Sequence, residues 1–360
     1  MSSSIFARCS SLLLAVLLGG CVALPDRPVT PVDLATALES RLAAAERRGF
    51  AGQLLVMRGE EVLVKRGFGQ IVPGQATALD ETAVMPLASL TKPFTASAVL
   101  ALAAEGWLGL DEPIGDFVSG LEEHWAEVPI HHYLTHTAGL PAEIVNRAWT
   151  GPVRFEPVGR DIFMDRLNQF QPDHPPGQGF NYSNIGYNLL AVLIETVAET
   201  DWETFLAGSL LNTADVSGIG LLRPGWTDDQ LVVGRDGQRT SGHFLDQPML
   251  DDGAGWHLRG AGDLLATPAG IAAWWQSIQR KTWLSQPWLA LWLSPQVSDP
   301  YGGEYGYGWE FRESSMGPVI GHTGQELDFT SVLAWYQALE TLVYINSANK
   351  RFRADRLLVE

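Results

Sequence analysis

Pro86-Leu87-Ala88-Ser89-Leu90-Thr91-Lys92-Pro93-Phe94, with the small apolar run Thr95 to Ala104 behind it, decides how the rest of the chain is read. The run predicts a helix ending near Gly106, fed by a turn with a serine at its mouth. With Ser89 in the first helical turn, Lys92 lies one turn on along the same face, and its amine reaches the serine hydroxyl. One element would then hold a nucleophile and its proton acceptor. The same placement aims unpaired backbone N–H groups and the positive end of the helix dipole at Ser89, where an acyl oxyanion would develop.

Spacing by itself is weak evidence. The lysines are Lys65, Lys92, Lys281 and Lys350, and Lys350 also follows a serine, Ser347, by three positions. Ser347 closes a strand-like run, Thr341 to Asn346, with no long apolar helical pattern after it, so it reads as a chance match. The bland alternative for Ser89 and Lys92 is a capping serine and a solvated lysine.

A chain of 360 residues with 46% hydrophobic content buries a large core, as one α/β domain or as two lobes. The formal charge of -17 and the lack of any lysine- or arginine-rich block argue against a nucleic-acid partner. Residues 1–20 combine a weakly basic head with Arg8, an apolar run from Leu12 to Leu18, and small residues before Cys21. That is a secretory signal, too short for a membrane span of about 20 apolar residues. Leu18-Gly19-Gly20-Cys21 resembles a bacterial lipoprotein box, which makes Cys21 the expected lipidation site. Val22 after it, in place of an inner-membrane-retaining aspartate, favours the outer over the inner membrane, with the protein facing the periplasm. Residues 21–31, with Pro25, Pro28 and Pro31, read as a tether. No cysteine follows Cys21, which excludes disulfides within the domain and thiol catalysis.

Along the domain, 32–360, Val32 to Arg48 has helical spacing, and Gly52–Arg58 with Glu61–Phe68 reads as a hairpin around Gly59-Glu60. Asn184 to Thr200 and Pro268 to Arg280 read as helices. Strands are predicted at Gly306–Arg312, Pro318–Gly321, Phe329–Trp335 and Thr341–Asn346. Strands at both ends around a helical middle predict an α/β fold: a mixed, mainly antiparallel sheet flanked by helices, with an all-α subdomain inserted. The α/β lobe would take about 32–113 and 250–360 and the helical lobe about 114–249, with the site between them.

Two further stretches join the first. Pro176-Gly177-Gln178-Gly179-Phe180-Asn181-Tyr182-Ser183-Asn184-Ile185-Gly186-Tyr187 sets a tyrosine and an asparagine two apart where a loop runs into a helix. Gly321-His322-Thr323-Gly324-Gln325 lies on or beside a strand, where backbone groups and a hydroxyl can bind a substrate by its edge. With Ser89-x-x-Lys92 these resemble, in order and separation, the three motifs of serine beta-lactamases and penicillin-binding proteins, in the class C, DD-peptidase and esterase branch. Thr91-Lys92-Pro93-Phe94-Thr95, Leu110-Asp111-Glu112-Pro113, Leu134-Thr135-His136-Thr137-Ala138-Gly139-Leu140-Pro141, Tyr305-Gly306-Tyr307-Gly308-Trp309 and Ala261 to Trp274 add to the likeness. It spans roughly Leu54 to Asn349.

The resemblance implies a serine hydrolase with Ser89 as acylated nucleophile, Lys92 as its hydrogen-bonded partner and Tyr182 as general base or acid. Lys92 would acidify the Tyr182 phenol, since a tyrosine near pKa 10 is poorly poised at neutral pH. Asn184 would bind substrate and orient Lys92, His322, Thr323 and Gly324 would line the substrate strand, and the N–H groups of Ser89 and Gln325 would form the oxyanion hole. No cofactor and no metal are implied, and no His-Glu-x-x-His spacing occurs. The expected substrate is a small ester or peptide, peptidoglycan included. A histidine opening the third motif, where efficient beta-lactamases usually carry lysine, leans the expectation toward an esterase or DD-peptidase and away from a beta-lactamase. The alternative outside enzymes is a non-catalytic envelope protein that binds peptidoglycan or a partner.

Five expectations concern particular side chains. His136 reads as a structural turn, and His131 and His132 as surface or packing residues. Tryptophans read as core and cleft wall. Asp263 and Asp328 read as extra carboxylates near the cleft. His322 is expected neutral, with activity rising from pH 7 toward 9, unless Glu326 or Asp328 holds it protonated.

Overall fold

The computed structural model describes residues 29–142, 156–221, 225–247 and 255–359. Cys21 and the signal stretch, with all but the last residues of the tether, lie outside them. No helix among the described residues is long and apolar enough to cross a membrane.

In chain order the helices are α1 (Pro31–Glu46), α2 (Lys92–Ala104), α3 (Glu123–Ala126), α4 (Ile130–Leu134), α5 (Arg160–Asn168), α6 (Asn184–Ala198), α7 (Trp202–Phe205), α8 (Pro268–Gln279), α9 (Gln286–Trp292) and α10 (Ala354–Val359). The strands are β1 (Gly52–Arg58), β2 (Glu61–Phe68), β3 (Met85–Pro86), β4 (Ile219–Gly220), β5 (Val233–Asp236), β6 (Arg239–His243), β7 (Leu265–Ala266), β8 (Val297–Ser298), β9 (Glu304–Tyr305), β10 (Glu310–Ser314), β11 (Gly317–Glu326), β12 (Phe329–Tyr336) and β13 (Thr341–Ser347). An antiparallel eight-stranded sheet runs β2-β1-β13-β12-β11-β10-β9-β8, which puts the two chain ends side by side at β1 and β13.

Both faces of this sheet are covered, so its central strands are apolar throughout rather than alternating with polar residues. Leu54, Val56, Val343 and Ile345 face α1 and α10, packing with Leu38, Leu42 and Leu357. Their neighbours Leu55, Met57, Leu342 and Tyr344 face the larger core shared with α2, α6 and α8. α1 starts on a capping box, with Thr30 and Asp33 bonding reciprocally and Pro31 in the first turn. α2 is buried on every side, Phe94 stacking on Trp274 at 4.2 Å between ring centres. Trp125, Trp202, Trp274, Trp275, Trp292 and Trp309 are fully buried, as core residues should be, while Trp107 is exposed.

The middle region is less purely helical than the sequence suggested. Helices α3 to α7, continued by a π-helical turn at Leu206–Leu211, are followed by β4, β5 and β6. β4 pairs with β7, and Leu221, Leu231 and Phe244 pack with Ile71, Val84, Phe329 and Ala348 of the α/β side. The boundary of the helical lobe therefore falls before Ile219, not near 249. The reason is local: Asp236 and Arg239 pair across a two-residue loop whose first residue, Gly237, has φ +64, a hairpin that glycine permits. β11 also extends past the predicted Gly321 to Glu326, so the third motif lies within a strand.

Candidate active site

The chain before Ser89 is pinned from the sheet. Ser331 Oγ of β12 donates to the Leu87 carbonyl at 2.7 Å and Asn346 Nδ2 of β13 donates to the Pro86 carbonyl at 2.9 Å. Ala88 adopts φ 51, a left-handed conformation uncommon for a residue with a Cβ, and the 3-10 turn Ala88–Thr91 then runs straight into α2. Ser89 is only partly buried at this mouth, while Lys92 is fully buried.

Lys92 Nζ donates to Ser89 Oγ at 3.2 Å, to Asn184 Oδ1 at 2.6 Å and to the Ala261 carbonyl at 2.9 Å. It lies 4.9 Å from the centre of the Tyr182 ring and 5.5 Å from that of Tyr187. Asn184 is the first residue of α6, so a helix start delivers its amide to the lysine. The Gly260–Leu264 turn docks on one turn of α2 through Thr95 Oγ1 to the Gly260 carbonyl, Lys92 to Ala261, and the Leu264 N–H to Thr91 Oγ1. Asp263 shapes that turn: its carboxyl accepts from Gly260 N–H at 3.0 Å and Trp202 Nε1 at 3.1 Å. Asp263 is 1% exposed, so it is a buried support of the lysine's acceptor and not a cleft carboxylate as expected. Burial pushes its carboxyl up to about 7 against the opposing pull of Arg259.

β11 closes the other side. Its pairing with β10 stops at Gly321, beyond which His322 to Glu326 pair with β12 alone, leaving one backbone edge open beside the serine turn. A Cβ on Gly324 would stand 2.4 Å from the Leu87 carbonyl and 2.3 Å from Ser331 Oγ, so only glycine lets this strand touch the turn that carries Ser89. Gln325 follows immediately, its side chain exposed and receiving a bond from Arg353. Thr323 is partly exposed on the same edge. Gly308, at φ +80, packs against the Lys92 backbone from the Tyr305–Trp309 loop.

His322 is 3% exposed, 6.0 Å ring to ring from Tyr182. Burial and the Lys92 charge hold its imidazole down to about 3, the neutral form at any working pH. The carboxyl facing it is Glu310, whose Oε1 lies 3.9 Å from Nε2, and neither Glu326 nor Asp328. The sequence reading missed Glu310 because its proximity comes from the β10–β11 register, which has no local signal. His136 is a turn at φ 60, as expected, yet its ring also lies 4.3 Å from that of Tyr182. His131 and His132 bond to Tyr307 and Thr137, away from the serine. Ser347 is fully buried and bonds locally to Asn349, so the second Ser-x-x-Lys is structural. Among the described residues there is no cluster of three or more His, Cys, Asp or Glu that could hold a metal ion.

A serine at a helix mouth bonded to a buried lysine, an aromatic hydroxyl-bearing ring over that lysine, and an open strand edge opposite mark a serine hydrolase of the penicillin-binding-protein-like class. The chain belongs to the Beta-lactamase family, whose model matches residues 34–357. It is 23% identical over 330 residues to Penicillin-binding protein 4* of Bacillus subtilis, covering 88% of this chain and 72% of that protein. The fold is similar to that of the octameric penicillin-binding protein homologue from Pyrococcus abyssi, with TM-score 0.76 at 20% identity over 90% of this chain and 76% of that one. It is equally similar to D-amino acid amidase from Ochrobactrum anthropi, with TM-score 0.76 at 19% identity over 91% of this chain and 95% of that one. At such identities the structural likeness shows the fold alone.

Proposed function

We propose that this serine hydrolase works through an acyl-enzyme at Ser89 on an ester or a peptide-like amide, as an esterase or a D-Ala-D-Ala carboxypeptidase-like enzyme. The observation that carries the reading is the set of bonds from Lys92 Nζ to Ser89 Oγ, Asn184 Oδ1 and the Ala261 carbonyl. Ser89 Oγ attacks the carbonyl carbon, its proton passes to the Lys92–Tyr182 pair, and the same pair returns it to the leaving group. The developing oxyanion sits against the N–H groups of Ser89 and Gln325, and water then releases the acyl group. The substrate lies along the open edge of β11, hydrogen-bonding as an added strand past Thr323 and Gly324, with Asn184 at its other side. A neutral, buried His322 offers no fixed cation for a substrate carboxylate, which within this reading favours an ester over a D-Ala-D-Ala peptide or a beta-lactam, both of which carry such a carboxylate. The amidase of similar fold makes an amide next to a D-residue a suitable first substrate class. Cys21 would anchor the enzyme by lipid in the periplasm-facing outer membrane, with peptidoglycan or smaller esters and peptides within reach.

The test is labelling of the purified protein with a fluorophosphonate and with a fluorescent penicillin, followed by mapping of the adduct. Ser89→Ala should abolish labelling and lower ester turnover at least about a thousandfold while the circular dichroism stays unchanged. Ser347→Ala should leave labelling intact. An adduct mapped to any other residue would sink the assignment.

A further inference from the structure

Behind Tyr182 runs a line of hydrogen bonds whose two ends are backbone groups, and backbone groups cannot change their roles. At one end the Ser183 N–H, next to Tyr182, donates to His136 Nδ1 at 3.2 Å. A neutral His136 must then carry its hydrogen on Nε2, which stands 3.2 Å from the Tyr305 hydroxyl. At the other end His322 Nδ1 lies 2.6 Å from the Thr323 carbonyl, an acceptor only, so Nδ1 carries the hydrogen and Nε2 is bare. That bare nitrogen stands 3.3 Å from the same Tyr305 hydroxyl. The Tyr187 hydroxyl donates to the Leu134 carbonyl at 2.8 Å, so it has no hydrogen to offer Tyr305. The Tyr305 oxygen therefore accepts from His136, and its one hydrogen is shared between the two acceptors beside it, His322 Nε2 and the Tyr187 oxygen.

We propose that Tyr305 is a positioning residue of this cleft, whose hydroxyl bridges the Nε2 atoms of both histidines and so ties the Tyr182 loop to the third-motif strand. The proposal rests on the reading of Ser89, Lys92 and Tyr182 as the reacting set. The tie matters because its ends belong to different parts of the fold: His136 and Ser183 come from the helical lobe, Tyr305 and His322 from β9 and β11 of the sheet. The two rings so joined flank Tyr182, His136 at 4.3 Å and His322, on β11, at 6.0 Å. The charged groups near His322 are Lys92 and Arg312, which oppose its protonation, and Glu310, 3.9 Å from Nε2.

The experiment is long-range proton–nitrogen correlation of the imidazoles in protein labelled with 15N-histidine, between pH 6 and 9, alongside ester kinetics. Wild-type protein should show His136 as the Nε2–H tautomer and His322 as the Nδ1–H tautomer, both neutral throughout. Tyr305→Phe keeps the ring and removes only the hydroxyl. It should shift the Nε2 signals of both imidazoles while they stay neutral, and lower kcat about tenfold, the scale of one ordinary hydrogen bond, with KM changed less than about twofold. A merely structural hydroxyl would lower kcat without moving both Nε2 signals. The opposite tautomer on either histidine in wild-type protein, or a Tyr305→Phe protein with unchanged imidazole signals and kcat, would overturn the proposal. The imidazole signals do not depend on turnover, so a failure of the Ser89 labelling remains distinguishable from a failure of the chain.

Discussion

Glu310 shows how much a single buried carboxyl can alter this cleft. Its side chain is 14% exposed, and burial pushes the carboxyl up to about 7, with Arg312 pulling the other way and Asp299 adding to the rise. As pH rises through 7 the group acquires a negative charge beside His322, which disfavours a Tyr182 phenolate and a neutral Lys92 amine alike. Activity that needs the Lys92–Tyr182 pair to hold one proton fewer is therefore delayed toward higher pH. Glu310→Gln should move the alkaline rise in kcat/KM for a simple ester to lower pH by about half a unit to one unit. A pH–rate profile that shifts the other way, or not at all, would show that the charge does not reach the reacting pair.

Among the elements, β11 and the serine turn depend on each other at Gly324. A methyl there would overlap the Leu87 carbonyl and Ser331 Oγ, both fixed by the sheet, so the strand would have to move off the turn. Gly324→Ala should cost about 1–3 kcal/mol of stability, read as a fall in Tm, and should also slow acylation of Ser89. Gly208→Ala makes a suitable control, because nothing lies within 4 Å of a Cβ at that position. It should leave acylation unchanged and hold or slightly raise Tm. Equal acylation rates in Gly324→Ala and wild-type protein would separate the strand from the oxyanion site. The second glycine of this kind, Gly308, presses on the Lys92 backbone from the other side, in a loop that also carries the histidine-bonding Tyr305 and Tyr307.

For the molecule as a whole, buried titratable groups set opposing pH dependences of stability. Asp263 has its native carboxyl raised to about 7 by burial, so its stabilising contribution is present in full below the ordinary 3.8 and is lost as pH rises through 7. His322, and His136 with it, are held low, so theirs is present above 6.5 and lost as pH falls toward the lowered native values. Asp263→Asn keeps an acceptor for Gly260 or Trp202 and removes the charge. Its Tm difference from wild type should therefore move in the variant's favour as pH rises from 5 to 8, as calorimetry would read. A difference that moves in favour of wild type over that range would mean that the Arg259 attraction outweighs burial. At the cellular scale, Cys21→Ser protein should leave the membrane fraction; retention there would count against the lipid anchor.

What could be read from the sequence follows from local pattern. The amphipathic α1, the apolar run of α2, the hairpin at Gly59-Glu60 and the strands near the C-terminus each announce themselves within a few residues. Ser89-x-x-Lys92, Tyr182-x-Asn184 and His322-Thr323-Gly324 were legible as well, because helix starts and strand edges keep such groups at set spacings. The contacts between them were not. That Lys92 answers to the Ala261 carbonyl, that Asp263 supports this turn from inside, and that Glu310 faces His322 are matters of strand register and of helices crossing far along the chain. The sequence alone determined which reactive groups the chain carries and on which elements. Tertiary packing decided their protonation, since burial and neighbouring charge, both absent from any short window of sequence, set which imidazole nitrogen and which carboxyl hold the protons.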